Sequence, residues 1–303
     1  QNFSGDDEYA GFNPPEAAAI TYWLKKRHLF GDLKVEVYDA ANKLITTIPG
    51  SKRVGINRVL WPMRLDAPKV PPSTNLAGFA QGPIVPEGTY KVKLIKGKDS
   101  FWSEVKLVAD PRSTQTAADR KLQQTTALKL YYDIEDLSYV VETANAQKDA
   151  AKQRAEKLGK DPLAAKVKKM GDTLEAFVGG LVATSEAGWL SGDEKLKEKL
   201  VTVFSGVNQY EGRPTGSQME RIGILEKELQ AASAKYAGLT KDVAALNAEL
   251  AKKKLDPLPT PTKDEWKAKS KPGGAGATTE LDEEALEAFA RHPAAVPTFV
   301  MHW

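Results

Sequence analysis

The sequence predicts a small β-sandwich followed by an antiparallel helical bundle, and three observations carry that expectation. At 303 residues the chain is long enough for roughly two domains on the usual ~150-residue scale. Ahead of Pro111, short segments alternate apolar with polar residues and are separated by turn-forming sequences. From Thr116 onward the apolar period changes from two to about 3.6. The expected division is 1–112 for the sandwich, 113–256 for the bundle, and 257–303 for a Pro/Gly-rich linker and C-terminal tail.

Taken in order, the first strand is the β-prone run from Ala18 through Thr21, Tyr22 and Trp23 to Leu24. The second runs from Leu33 to Asp39, and its alternation turns Leu33, Val35 and Val37 inward. A turn at Asp39-Ala40-Ala41-Asn42-Lys43 leads into a third strand over 44–48, and Gly55 opens a fourth that ends on Trp61. After a Pro/Gly-rich stretch, the segment 89–95 alternates again, and Lys96-Gly97-Lys98-Asp99 turns it into a last strand over 100–108.

The helical part opens with a long charged helix running to about Gly159, in which Ile134, Leu137, Val141 and Ala144 are spaced 3-4-3. Asp161-Pro162 reads as an N-cap followed by proline at the first helical position. The helix behind it carries Leu163, Val167, Met170, Leu174, Phe177 and Leu181 on one stripe. Ser191-Gly192-Asp193-Glu194 fits a capping box ahead of a shorter helix with Leu196, Leu200, Val203 and Val207. Thr215-Gly216-Ser217-Gln218 fits another. It opens a helix whose stripe is Ile222, Leu225, Leu229, Ala232, Tyr236, Leu239, Val243, Leu246 and Leu250. Four such segments on short loops fold back most simply into an antiparallel bundle. A helix of about 40 residues reaches roughly 60 Å, so the bundle is expected to be elongated. Beyond it, Pro257, Pro259 and Pro261 stop helix continuation, 269–276 has linker composition, and 281–290 predicts a short acidic helix. The apolar end 296–303 is expected to dock on a partner or on the bundle.

Composition narrows the function classes. The chain is 41% hydrophobic and 27% charged, with a mean hydropathy of −0.42, which suits packed cores rather than disorder. Its net charge of +3 is small and its charges are interspersed, which argues against a nucleic-acid partner. With 0 cysteines there is no disulfide, no cysteine-held metal and no thiol nucleophile. No apolar run approaches the ~18 residues of a membrane span. The polar opening, Gln1 to Glu8, has no signal-peptide pattern, as expected for a processed exported protein or a piece of a longer one.

Two blocks carry a family resemblance. Leu33 to Ile45, then Gly55-Ile56-Asn57-Arg58-Val59-Leu60-Trp61, then Val85-Pro86-Glu87-Gly88-Thr89-Tyr90-Lys91-Val92 resemble the immunoglobulin-like domain first described in flagellar hook-capping proteins. Asn42 stands where that pattern has a turn glycine, and Pro62 where it has aspartate. With Gly11-Phe12-Asn13-Pro14-Pro15 before the first strand and the helices after Asp110-Pro111-Arg112, the layout over 9–258 is similar to a larger arrangement. That arrangement is the C-terminal region of large secreted bacterial glycosyl hydrolase-like proteins with BNR/Asp-box, sortilin-type β-propellers. Arg213-Pro214-Thr215 at a helix start and Leu246-Asn247 at a helix end fit that region too. No Ser-x-Asp-x-Gly-x-x-Trp Asp-box occurs in the chain. The resemblance implies a non-catalytic accessory region, located in the periplasm, at the cell surface or outside the cell. Its expected partners are an upstream β-propeller or another protein subunit, with glycan contact and an envelope-assembly scaffold as the alternatives.

The residues themselves single out no catalytic, cofactor-binding or metal site. His28 follows Lys25-Lys26-Arg27 and suits a solvated loop, while His292 and His302 lack carboxylate or cysteine partners. The carboxylate clusters are Asp6-Asp7-Glu8, Glu135-Asp136 and Asp282-Glu283-Glu284. Paired carboxylates are the apparatus of glycoside hydrolysis, but the middle pair lies on a bundle helix and the others lie in a terminus and a tail. The first cluster has the hard oxygen donors that suit calcium. Among the aromatics, Trp61 and Tyr90 are expected in the core. Trp23 and Trp102 also fall on predicted strands, and several coplanar exposed rings would be needed for a carbohydrate platform.

Overall fold

A computed structural model describes residues 16–71, 81–183, 194–269 and 299–300. Strands come first and helices follow. The chain divides into two compact units, one of residues 1–65, 85–111 and 277–303, the other of residues 66–84 and 112–276.

The first unit holds two sheets. Strands β1 (Ala18–Leu24) and β4 (Gly55–Trp61) pair antiparallel, with Tyr22 opposite Asn57 and Trp23 opposite Ile56. In the second sheet β3 (Leu44–Pro49), β2 (Leu33–Tyr38), β5 (Gly88–Lys96) and β6 (Asp99–Leu107) lie side by side in that order, all antiparallel. Alternation decides which side chains turn inward. Leu33, Val35 and Val37 of β2 are buried as expected, and they join Ile20, Tyr22, Val59, Trp61, Tyr90 and Val92 in one core drawn from both sheets. Of the apolar end 296–303, expected to dock on a partner or on the bundle, only 299–300 fall among the described residues. Phe299–Val300 forms β7, which pairs parallel with β1 at Ile20 and Thr21 and so occupies backbone groups of an otherwise open strand edge.

The turn between β2 and β3 places a non-glycine residue in the left-handed region. Asn42 sits at φ 62°, a left-handed conformation that asparagine tolerates and β-branched residues do not. Its backbone N–H donates to Asp39 O at 3.0 Å, and Lys43 N–H donates to Asp39 Oδ1 at 2.8 Å. Asn42→Val is therefore expected to cost about 1–2 kcal/mol in urea unfolding, whereas Asn42→Gly stays within about 0.5 kcal/mol of the parent. Equal midpoints for the two variants would contradict this account of the turn.

The second unit is built on α1 (Ala117–Leu158), α2 (Pro162–Gly179), α3 (Leu196–Asn208), α4 (Gly216–Lys252) and α5 (Lys263–Lys269). Helix starts are capped by side chains. Thr116 accepts from Asp119 N–H at 3.1 Å, and Asp161 accepts from Leu163 N–H at 2.9 Å ahead of Pro162. The expected capping box of α4 is present in both directions, with Gln218 N–H on Thr215 Oγ1 at 3.2 Å and Thr215 N–H on Gln218 Oε1 at 2.8 Å. For α3 the start differs from the expected one at Ser191-Gly192-Asp193-Glu194, of which 191–193 lie outside the described residues. The helix begins at Leu196, and Glu198 reaches back to Lys195 N–H at 3.2 Å and Ala183 N–H at 3.3 Å.

The apolar stripes meet in one long core containing Leu130, Ile134 and Leu137 of α1, Leu174 and Phe177 of α2, Leu200 and Phe204 of α3, and Leu225 and Leu229 of α4. A second cluster gathers Ala151, Leu163, Val167, Val243, Leu246, Leu250 and Leu258. All nine predicted core positions of α4 are buried. On α2 the stripe holds except that Met170 is only partly buried and Leu181 falls just past the helix end. The proline-rich stretch after α4, grouped by composition with the tail, packs on the helices: Leu258 and Trp266 are buried. Among the described residues no helix is long and apolar enough to cross a membrane.

Candidate functional site

Polar and aromatic groups of the second unit gather where residues 256–269 run along α1. The carbonyls of this non-helical stretch have no partners within a helix, and side chains of α1 donate to them. Tyr139 donates its hydroxyl to Pro261 O at 2.9 Å, Gln147 Nε2 donates to Pro259 O at 2.9 Å, and Arg154 Nε donates to Asp256 O at 3.0 Å. Asn247 of α4 clamps the same stretch, its amide N–H donating to Leu258 O at 3.0 Å and its oxygen accepting Leu258 N–H at 2.7 Å. Thr262 and Glu265 then cap α5 reciprocally, Thr262 N–H on Glu265 Oε2 at 2.8 Å and Glu265 N–H on Thr262 Oγ1 at 3.2 Å.

Trp266 is the centre of this seam. Its indole N–H donates to Glu142 Oε2 at 2.7 Å, and its ring meets Tyr139 edge-on with centroids 5.8 Å apart. The Lys69 ammonium sits 4.3 Å from the Trp266 ring centroid, a cation–π distance, and its Nζ is buried without a hydrogen-bond partner in the protein. Burial lowers the Lys69 amine below the ordinary lysine range, Glu142 and Glu135 pull it back up, and Lys267 pushes it down again. The carboxylate pair Glu135-Asp136, singled out by its sequence, is found here. Glu135 pairs with Lys267 at 3.2 Å, and Asp136 pairs with Lys263. Each carboxylate is thus turned toward its own lysine.

The outer face of the four-stranded sheet carries a second cluster. Tyr38 and Trp102 lie 5.4 Å apart with their planes tilted 44°, and Lys93 Nζ is 5.2 Å from the Trp102 centroid. Tyr38 donates to Glu36 at 2.5 Å, and Lys34 pairs with Glu36 at 2.9 Å. The carboxylate accepting its hydroxyl, assisted by burial, pushes Tyr38 up to about 12. For Glu36 itself burial works upward, but the hydrogen bond from Tyr38 and then Lys34 and Lys93 hold it below the usual carboxylate range.

The other residues weighed from the sequence are distributed as follows. Trp61 and Tyr90 are both in the core, edge to face at 5.2 Å. Trp23 and Trp102 are half-exposed on the outer faces of different sheets. His28 is half-buried rather than fully solvated. Its backbone N–H donates to Lys52 O at 3.0 Å, and its Nε2 has no protein partner. Asp6-Asp7-Glu8, Asp282-Glu283-Glu284, His292, His302 and the predicted helix over 281–290 lie outside the described residues. Among the described residues no three histidine, aspartate or glutamate side chains are grouped so as to hold a metal ion. Sequence reasoning missed Lys69, Glu142 and Trp266. The signal present for the last was Thr262-x-x-Glu265, a capping-box spacing directly after Pro261.

A groove of about 760 Å³ opens beside α1 and α2. Its lining combines small residues, among them Ala155, Gly159, Ala164 and Gly171, with charges of both signs such as Lys152 and Glu175. Comparison of the chain with protein-family models, with curated proteins and with solved structures returned no match.

Proposed function

We propose that this chain is a non-catalytic structural and interaction module, an immunoglobulin-like β-sandwich joined to an antiparallel helical bundle. In this reading it is the C-terminal accessory region of a secreted or cell-envelope bacterial protein of the propeller-containing, glycosyl hydrolase-like kind, working in the periplasm, at the cell surface or outside the cell. An upstream propeller or another subunit is its partner.

The observation that carries the reading is how the ionisable side chains of the helices are used. Glu135, Asp136 and Glu142 are committed to Lys267, Lys263 and the Trp266 indole, which fasten chain segments together. Helices of 42 and 37 residues, roughly 60 Å and 55 Å long, offer side area for a partner, as does the groove beside α1 and α2. The residues behind the immunoglobulin-like resemblance have packing roles that suit it. The Asn57 amide donates to Arg53 O at 2.9 Å and Gly55 O at 3.0 Å, and Tyr90 donates to Pro86 O at 2.6 Å across the fully buried Trp61.

The test is intact mass with peptide mapping of the product isolated from its source cells. A product well above 33.0 kDa with propeller sequence ahead of Gln1 supports the accessory-region reading. A free-standing product of 33.0 kDa overturns it.

A second reading, glycan contact, is favoured by Trp102, whose half-exposed ring is flanked by Tyr38, Lys93 and Glu36. The 44° tilt between the rings leaves Trp102 alone as a stacking surface instead of a flat platform. Trp102→Ala is expected to abolish retardation of the chain in polysaccharide affinity gels. Equal retardation of parent and variant would remove this reading.

A further inference from the structure

One end of the first unit carries an exposed apolar and cationic surface that neither reading uses. Three connections lie side by side there: 25–32 between β1 and β2, 50–54 between β3 and β4, and the turn between β5 and β6. They are tied together by backbone hydrogen bonds, His28 N–H to Lys52 O at 3.0 Å, Gly50 N–H to Leu33 O at 2.9 Å, and Gly97 N–H to Asp32 O at 2.8 Å. The Asn57 amide, bonded to Arg53 O and Gly55 O, braces the second connection from within. At this end large apolar side chains face solvent. Phe30 is 85% exposed and Ile56 77%, and Trp23, Leu29 and Val54 are also exposed. Trp23 and Ile56 are register partners at the last rungs of the β1–β4 ladder, so they adjoin the connections.

The charge around these side chains is one-sided. Lys25, Lys26 and Arg27 lie in the first connection, Lys52 and Arg53 in the second, and Lys96 and Lys98 at the third, against only Asp32 and Asp99. The chain as a whole is nearly balanced at +3, so this end departs from the average. Exposed apolar tips ringed by lysine and arginine complement an anionic bilayer. The apolar tips enter the headgroup–acyl boundary while the cations remain level with lipid phosphates. An indole such as that of Trp23 is suited to the interface depth. A small anion would engage the cations but leave Phe30 and Leu29 exposed.

We propose that this end of the first unit docks on the surface of a membrane rich in anionic phospholipid. The contact is peripheral, made by the three connections and the adjoining Trp23–Ile56 rung, with no chain crossing the bilayer.

The experiment is co-sedimentation of the 303-residue chain with vesicles of phosphatidylcholine alone and of phosphatidylcholine containing about one-third phosphatidylglycerol. Binding is expected to the anionic vesicles, at least about tenfold stronger than to the neutral ones, and weakened by about 0.5 M salt. L29D/F30D and K25E/K26E/R27E should each weaken it about tenfold or more. Both variants alter exposed residues, so their thermal unfolding midpoints should match the parent and separate lost docking from lost folding. A parent chain that stays in the supernatant with anionic vesicles overturns the proposal, as does an L29D/F30D variant that binds like the parent. Binding of a protein segment from upstream of Gln1 that needs Leu29 and Phe30, without vesicle binding, assigns the surface to a protein partner and likewise overturns it.

Discussion

Replacing Trp266 with alanine is expected to lower the stability of the helical unit by about 3–5 kcal/mol, the range for truncating a buried indole. For a unit of this size that corresponds to a fall in Tm of about 10 °C. Three separate losses underlie the figure. The buried ring leaves a cavity against Tyr139, Glu142 loses the 2.7 Å donor that satisfies it, and the Lys69 ammonium loses the π face it occupies. Trp266→Phe reduces the cavity term, because it keeps a six-membered aromatic ring against Tyr139 while it removes the pyrrole portion with its N–H. Its expected cost is about 1–2 kcal/mol, that of an unsatisfied partner. A local readout accompanies the global one. With Trp266 gone, residues 256–269 should be cleaved by trypsin at Lys263 and Lys267 before α1 is touched. An alanine variant that melts with the parent and resists trypsin equally would mean that the segment is not held by its indole.

That seam is also where sequence and structure part most clearly, and the reason is physical. On α4 the apolar residues recur without interruption every three or four positions, and each of the nine proves buried, because that helix packs through a single stripe. Helix α1 packs against α2, α3, α4 and the 256–269 segment at once. Its buried set therefore includes Gln123, Thr126, Ser138, Thr143 and Gln147, which no apolar periodicity can mark. The two glutamines answer carbonyls that lack helix partners. Gln123 Nε2 donates to Val207 O at 2.8 Å near the end of α3, as Gln147 does to Pro259 O. In the strands the pattern of two was sufficient: Leu33, Val35 and Val37 alternate inward, and the six predicted strands appear within a residue or two of their expected limits. The partnership of Lys69 with Trp266 joins residues far apart in sequence. Nothing local to either residue announces it, since a lysine next to Pro68 reads as loop and the Thr262–Glu265 capping spacing marks a helix start without marking what its tryptophan meets.

The same helix contains a carboxyl group that opposes folding, and removing its charge should stabilise the protein. Asp133 of α1 is partly buried, and its Oδ2 is enclosed without a hydrogen-bond partner in the protein. Burial is the main cause that raises its pKa from 3.8 to about 6. The nearby Lys129 works downward, and Glu226 and Asp136 work upward. Lys129 is itself paired with Glu226, so its charge is shared. A carboxyl group that holds its proton more tightly when folded stabilises the native state while protonated, and that contribution is complete below about pH 3.8. It is lost as pH rises through the folded value near 6, and above that the buried charge is a standing cost. Asp133→Asn keeps the shape and removes the charge. It should therefore raise unfolding free energy at pH 7.5 by about 1–3 kcal/mol and change it little near pH 4. Urea unfolding of parent and variant at the two pH values checks this. A gain of equal size at both would trace the effect to packing instead of ionisation, and a loss at pH 7.5 would mean that the carboxylate has a stabilising partner. Glu226→Gln extends the argument. Removing one of the two carboxylates that raise Asp133 should bring its titration, followed by the carboxyl carbon in NMR, down toward 3.8, and the Lys129 charge released from Glu226 acts in the same direction.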